Sequence, residues 1–484
     1  MMARSTRLGL LIPLAFASVA AAHAKPVTPQ GIDRDVVRTM AQLQVPGAAI
    51  GVIQDGKVVL AKGYGVRTVG QRAPVDTDTV FSIASLSKSF TTAVMATLVD
   101  EKRLDWDRPV RDYLPSFQMY DPVATQLMTP RDLASHRSGL PRHDFLRFST
   151  YMQPADLVSR LRYLPPSRTF RDGYQYNNLM YATAGYLAGQ VTGSTWGELV
   201  SSRIFAPIGM TRSNTSPPQS ERDPNHATGH RLERGKVVTM PFYQYEKFGV
   251  APAGAVASTV TDMLKYLQMY LDRGRVGDRQ VISAAQVEQL HRPVTPHDDA
   301  AYALGWSRTH RGGQTVLQHG GSIDGFTAQM ILLPQSHAGV VVLNNLDGSR
   351  LPTLLAHRIA DRLLGIPPGD GTTKQKPRGP SEPDLPERIP NTHPTLALQA
   401  YVGSYAHPAY GTVHLVQREQ SLVVRFDALE LPLTHYHYDV FHSKGYDGLG
   451  GGLWQFQLDI AGNVQQLLAP LEASVPPLIF EKID

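Results

Sequence analysis

The chain has 484 residues, of which 42% are hydrophobic and 18% charged. That balance belongs to a folded globular protein of two or more domains and excludes a disordered one. The formal charge is only +5 with no basic run, which argues against a nucleic-acid partner, and the absence of cysteine excludes disulfides, thiolate metal sites and a cysteine nucleophile.

The chain opens with the features of a secretory leader. Arg4 and Arg7 give a positive start, residues 8–22 are a short apolar stretch, and Ala22-His23-Ala24 is a small-x-small cleavage site. Cleavage is expected after Ala24, leaving a periplasmic or secreted bacterial protein. No stable membrane span is expected, because the stretch is short against the roughly 20 residues a span needs.

Residues 47–60 predict a hairpin: an apolar run reaches Asp55-Gly56 and Val58-Val59-Leu60 returns. Val80-Phe81-Ser82-Ile83-Ala84 then leads into Ser85 and a periodic apolar segment (Phe90, Val94, Leu98), expected as a buried helix. Residues 104–210 carry mostly helical pattern broken by Pro and Gly. Three strands are expected at residues 316–317, 328–333 and 340–343, and a closing helix at residues 351–364.

Residues 367–394 contain eight prolines and little to bury, which predicts a semi-extended linker. Beyond it, Leu422, Val424 and Phe426 alternate, as do Trp454, Phe456, Leu458 and Ile460. This period of two predicts a small all-β module over residues 395–484. His435, His437 and Asp439 alternate there with metal-ligand chemistry, but a polar strand face is the commoner cause. No metal and no cofactor is expected.

Three short motifs carry chemistry. Ser85-Leu86-Ser87-Lys88 is an S-x-x-K tetrad at a predicted helix start. A serine hydroxyl needs a neighbouring base, residues i and i+3 share a helix face, and a buried lysine can lose its proton. Tyr176-Asn177-Asn178 is a Y-x-N motif whose phenol can pass protons and whose Asn178 amide can bond Lys88 and substrate. His319-Gly320-Gly321-Ser322 ends a strand. Its glycines let a substrate backbone approach, Ser322 N–H and Ser85 N–H can hold an oxyanion, and His319 can donate to a carboxylate or leaving group. H-E-x-x-H, the P-loop and G-x-S-x-G are absent.

Taken in this order, the motifs resemble those of serine β-lactamases and penicillin-binding proteins, in the branch of class C β-lactamases and S12 serine peptidases. The connecting text supports this: Thr129-Pro130-Arg131-Asp132-Leu133-Ala134-Ser135-His136-Arg137-Ser138-Gly139-Leu140-Pro141, Ala206-Pro207-Ile208-Gly209-Met210 and Pro252-Ala253-Gly254-Ala255. The resemblance spans residues 36–364. It implies an α+β fold: an antiparallel sheet flanked by helices plus a helical region, over residues 25–366, followed by a lipocalin-like barrel. His319 departs from the lysine usual in class C β-lactamases and is similar to D-aminopeptidases and other S12 peptidases.

The expected activity is a two-step acyl transfer. Ser85 is the nucleophile, Lys88 and Tyr176 are the activating pair with the base left open between them, and Asn178, His319, Gly321 and Ser322 form the substrate and oxyanion site. A peptide, including one that contains D-residues or comes from a cell wall, is the first substrate class. A carboxylesterase or β-lactamase on the same scaffold, a penicillin-binding sensor with little turnover, and a binding protein led by the β module remain the alternatives.

Overall fold

The computed structural model describes residues 29–148, 152–242, 249–367, 385–427, 429–445 and 451–484. The expected leader, residues 1–24, lies outside them, as does the larger part of the expected linker, residues 368–384.

The chain enters through helix α1 (Pro29–Leu43), which sequence reading did not assign. The expected hairpin follows as β1 (Gly47–Gln54) and β2 (Lys57–Gly65). Asp55 and Gly56 both take left-handed φ, 50° and 73°, as the turn between twisted strands requires. Among the helices that precede most of the sheet are three longer ones: α2 (Ser87–Asp100), α3 (Asn178–Thr192) and α4 (Val260–Leu271). The remaining strands are β3 (Thr295–His297), β4 (Ala300–Tyr302), β5 (Ser307–Arg311), β6 (Gln314–Ile323), β7 (Phe326–Leu333) and β8 (Ala338–Asn344). The closing helix is α5 (Leu351–Leu363).

These eight strands form one antiparallel sheet in the order β2-β1-β8-β7-β6-β5-β4-β3. Its central strands are apolar on both sides because both faces are covered. Ala48, Ile50 and Val52 of β1 join a core with Val36 of α1 and Leu355 of α5. Ala49 and Ile53 join the opposite core, which contains α2 and α4. Gly51 makes this second packing possible, since a Cβ there would lie 2.7 Å from Val260 and 2.9 Å from Leu264.

Helix α2 is buried at every residue from Ser87 to Leu98. A helix without a wet face belongs inside a core. Its hydroxyls are satisfied there: Thr91 Oγ1 donates to Pro252 O at 2.7 Å and Thr92 Oγ1 to Leu304 O at 3.0 Å.

The C-terminal module is a closed antiparallel barrel of eight strands in sequence order, from β9 (Gly403–His407) through β10 (Gly411–Arg418), β11 (Ser421–Arg425), β12 (Glu430–His437), β13 (Val440–Ser443), β14 (Gly452–Leu458) and β15 (Val464–Ala469) to β16 (Leu478–Lys482). Closure leaves no exposed sheet edge. Alternate residues such as Val413, Leu422, Val424, Trp454 and Phe480 fill the interior. Part of the stretch read as linker lies on the barrel: Arg388 Nε donates to Tyr436 O at 2.6 Å. A bulge separates His435 from His437, and Asp439 is committed to Thr395, whose N and Oγ1 donate to it at 2.8 and 2.7 Å. Among the described residues no cluster of metal-ligating side chains forms.

Candidate active site

Ser85 sits in a single 3-10 turn, Ala84–Leu86, that feeds directly into α2. Ala84 before it is left-handed, φ 48°. For a residue with a Cβ that conformation costs about 1–2 kcal/mol. The buried Ser87 side chain holds the turn, donating to Ala84 O at 2.6 Å and accepting from Val256 N at 3.0 Å.

One turn on, Lys88 is completely buried. Its Nζ lies 3.0 Å from Ser85 Oγ, 2.8 Å from Asn178 Oδ1 and 2.9 Å from Ala253 O. Tyr176 closes the group from the other side, its hydroxyl 2.8 Å from the same Ser85 Oγ. The first residue of α3, Asn178, is aimed by its neighbour Asn177. Asn177 caps the helix through Met180 N at 2.9 Å and donates to Leu140 O at 3.1 Å and Pro141 O at 2.5 Å. Lys88 and Tyr176, from two separate motifs, thus converge on one hydroxyl, and Asn178 holds the lysine there.

The beta-lactamase family model matches residues 32–364. The chain belongs to the beta-lactamase family. A second model, a domain of unknown function (DUF3471), matches residues 387–481, the barrel region. An Aspergillus campestris protein named unguisins hydrolase is 30% identical over 421 residues, covering 80% of this chain and 77% of that one. Protein flp of Staphylococcus aureus is 25% identical over 338 residues, covering 68% and 65%. The solved octameric penicillin-binding protein homologue from Pyrococcus abyssi shares the fold, with a TM-score of 0.62 at 23% identity, covering 91% of this chain and 97% of that one. The chain is a hydrolase of this family with an added C-terminal barrel.

In this beta-lactamase-family site the electrostatics follow from burial. Lys88 is held well below an ordinary lysine, first by burial and then by the Arg142 guanidinium, with Asp144 opposing. Burial raises the pKa of the Tyr176 phenol, which therefore stays protonated. Asn178 bridges the two kinds of charge: its Nδ2 donates to Asp144 Oδ1 at 3.4 Å while its Oδ1 faces Lys88. A carboxylate can only accept, so the amide has one orientation.

The third motif reaches the site as the end of β6. Strand β5 pairs with β6 only as far as Gln318, so among the described residues His319 to Ile323 have no paired strand on that edge. Gly321 packs on the Ser85 turn so closely that a Cβ would lie 2.4 Å from Ile83 O. Ser322 is exposed beside it. His319 is placed differently from its expected role. Its Nδ1 is 2.6 Å from Gly320 O, an acceptor, so Nδ1 carries the proton and Nε2 accepts from Tyr302 OH at 2.9 Å. Burial lowers its pKa to about 3. Both ring nitrogens are engaged within the protein, and the ring braces the strand end.

Four further contributors have no spacing signature. They are the Ala253 carbonyl, Arg142, Asp144 and His136. The connector sequences around Pro252 and His136 flagged two of these regions without giving them a task. Buried His136 accepts from Asn177 N at 3.1 Å and lies against the Tyr176 ring with centroids 4.3 Å apart. A cavity of about 350 Å³ lined by Ile53, Val58, Leu264 and Met269 shares no residue with the Ser85 cluster.

Proposed function

We propose that this protein is an exported serine hydrolase that works through an acyl-enzyme on Ser85, with peptides, including those bearing D-residues, as its first substrate class. The reading is carried by one observation: an entirely buried Lys88 whose Nζ lies 3.0 Å from Ser85 Oγ.

The contacts of Nζ favour Lys88 as the base. A neutral amine has two N–H donors and one lone pair. Asn178 Oδ1 and Ala253 O only accept, so they take the two donors. The lone pair is then left for the Ser85 hydroxyl proton. Tyr176 donates to Ser85 Oγ from the opposite side and is placed to return a proton to the leaving group. In the acylation step Ser85 Oγ attacks the carbonyl carbon, its proton passes to Lys88, and the carbonyl oxygen becomes an oxyanion. The N–H groups of Ser85 and Ser322 are the proposed donors to that oxyanion, supported by the close packing of Gly321 on the nucleophile turn. Collapse expels the leaving group with a proton delivered through Tyr176. Water then attacks the ester, and its proton follows the same path.

The substrate class rests on the S12-like motif text and on a relative named as a hydrolase of unguisins. Export and a periplasmic or secreted location rest on the leader pattern alone. Intact mass after fluorophosphonate treatment tests the nucleophile: one adduct on the wild type and none on Ser85→Ala is expected, and an unlabelled wild type would end the proposal. Turnover of D- and L-aminoacyl amides against p-nitrophenyl esters and a penicillin then decides the class. Amide turnover supports a peptidase, ester-only turnover a carboxylesterase, and a persistent penicillin adduct a stalled sensor.

A further inference from the structure

Residues 142–145 face two directions in turn. The Arg142 guanidinium lies 5.0 Å from the Tyr176 ring centroid, and Asp144 accepts from the Asn178 amide at 3.4 Å. Between and after them, His143 and Phe145 face the C-terminal barrel. The backbone N–H of His143 donates to Glu472 Oε2 at 2.8 Å, its Nδ1 is 3.0 Å from Tyr410 OH, and the Phe145 ring is 6.3 Å from that of Phe426. His143 is left-handed, φ 48°. A residue with a side chain keeps that conformation when its surroundings over-determine it.

The grip is built from fixed parts. Tyr410 is fully buried, with its ring beside His407 and Phe480. Glu472 is steadied by Ser474, whose N and Oγ donate to its other oxygen at 3.2 and 2.7 Å. A second tie runs from Arg160 Nη1 to Ala409 O at 2.8 Å. Among the described residues no hydrogen bond runs from the barrel to Ser85, Lys88, Tyr176 or Asn178 themselves. Among the described residues the barrel reaches the site through this segment.

We propose that the C-terminal barrel is a positioning element of the Ser85 site: Glu472 and Tyr410 hold His143 and thereby keep Asp144 on the Asn178 amide and Arg142 over Tyr176. This rests on the serine hydrolase reading. Asp144 fixes which way the Asn178 amide faces, and the amide oxygen is one of the three partners of Lys88. Loosening the segment lets the amide turn and moves both the Arg142 cation and the Asp144 carboxylate away from Lys88, on which the cation acts more strongly. The other groups around that lysine stay in place: the Tyr176 and Tyr181 rings at 4.7 and 5.4 Å, and the His136 and His319 rings.

The test uses full-length protein and p-nitrophenyl ester hydrolysis, with kcat, KM and the pH profile read for each variant. Glu472→Ala should lower kcat roughly tenfold, the equivalent of one lost positioning bond, with little change in KM. It should also move the acidic limb to higher pH, because the loosened segment takes Arg142 as well as Asp144 away from Lys88 and the guanidinium is the stronger of the two influences. Glu472→Gln should restore most of the rate, since the amide oxygen still accepts from His143. Adding Asp144→Asn to Glu472→Ala should cost little beyond Asp144→Asn alone, because both act through one contact. Tyr410→Phe repeats the test without removing the carboxylate and replaces it if the alanine variant loses its folded barrel. Wild-type kcat and pH profile in both barrel variants, or fully multiplying losses in the double variant, would overturn the inference while leaving the hydrolase reading intact. A wild type that neither turns over ester nor takes a fluorophosphonate would overturn both.

Discussion

Arg142 Nε donates to Asp144 Oδ2 at 2.5 Å, and the two members of this ion pair act on Lys88 in opposite senses. In the proposed mechanism the lysine is the base, and it serves as one only when neutral. Removing the cation in Arg142→Gln raises its pKa and moves the acidic limb of kcat/KM to higher pH. Removing the anion in Asp144→Asn lowers its pKa and moves that limb to lower pH. The paired pH–rate profiles check this, and two limbs shifting the same way would show that neither charge acts on Lys88 directly.

The Tyr176 hydroxyl and Ser85 Oγ are 2.8 Å apart. Tyr176→Phe keeps the ring against His136 and removes only the proton path. Turnover should fall by about 10²- to 10⁴-fold, the usual worth of a positioned acid–base group. Steady-state kinetics on an ester and an amide check it. A variant that keeps more than a tenth of wild-type kcat would take the phenol out of the mechanism.

Gly321 has no room for a side chain: a Cβ would meet Ile83 O at 2.4 Å and Ala84 and Leu86 at 3.2 Å. Gly321→Ala should push the end of β6 off the nucleophile turn. The expected cost is about 1–3 kcal/mol of stability, the range for overpacked sites. The rate of fluorophosphonate labelling should fall at least tenfold, by order of magnitude. Thermal melts and labelling kinetics read the two effects separately, and wild-type labelling would mean the strand end is not part of the reacting surface.

Acid should destabilise the fold early. Burial lowers the pKa of His319 to about 3 and that of His407 to about 4. Folded, both stay neutral down to those values; unfolded, each takes a proton below about pH 6.5. Their contribution is therefore complete above pH 6.5 and shrinks as pH falls toward 3–4. Each costs about 2 kcal/mol between pH 6.5 and 5. His407 Nδ1 accepts from Ala409 N at 3.1 Å and Tyr410 N at 3.2 Å, so its protonation breaks the turn that meets the catalytic domain. Melting temperature against pH should fall less steeply in His407→Gln than in wild type over this window, and equal slopes would refute the assignment.

The parts of the site that were legible in the sequence are those whose geometry is local. Ser85 and Lys88 meet because three residues make nearly one helical turn, and Tyr176 and Asn178 flank a helix cap. The hairpin, the strands of the sheet centre and the closing helix were legible because period and turn chemistry agree there. The unreadable parts come from far along the chain. Lys88 and Ala253 are 165 residues apart, and His143 and Glu472 are 329 apart. A backbone carbonyl leaves no mark in a residue code, and Asp144 looks like any surface carboxylate. His319 shows a different limit: its residue type was read as a donor, but its tautomer was set by a carbonyl one residue away and a tyrosine 17 residues away.

The two-faced segment at residues 142–145 also bears on how such proteins can be recombined. A chimera that exchanges barrels between relatives has its natural joint in the proline-rich stretch after Ile366, where the chain passes from one domain to the other. The contact surface does not respect that joint. His143 and Phe145 belong in space to the incoming barrel, although they lie more than 200 residues before it. A functional exchange would have to carry two separated pieces of sequence, and random shuffling at a single crossover would return folded chains with misaligned sites.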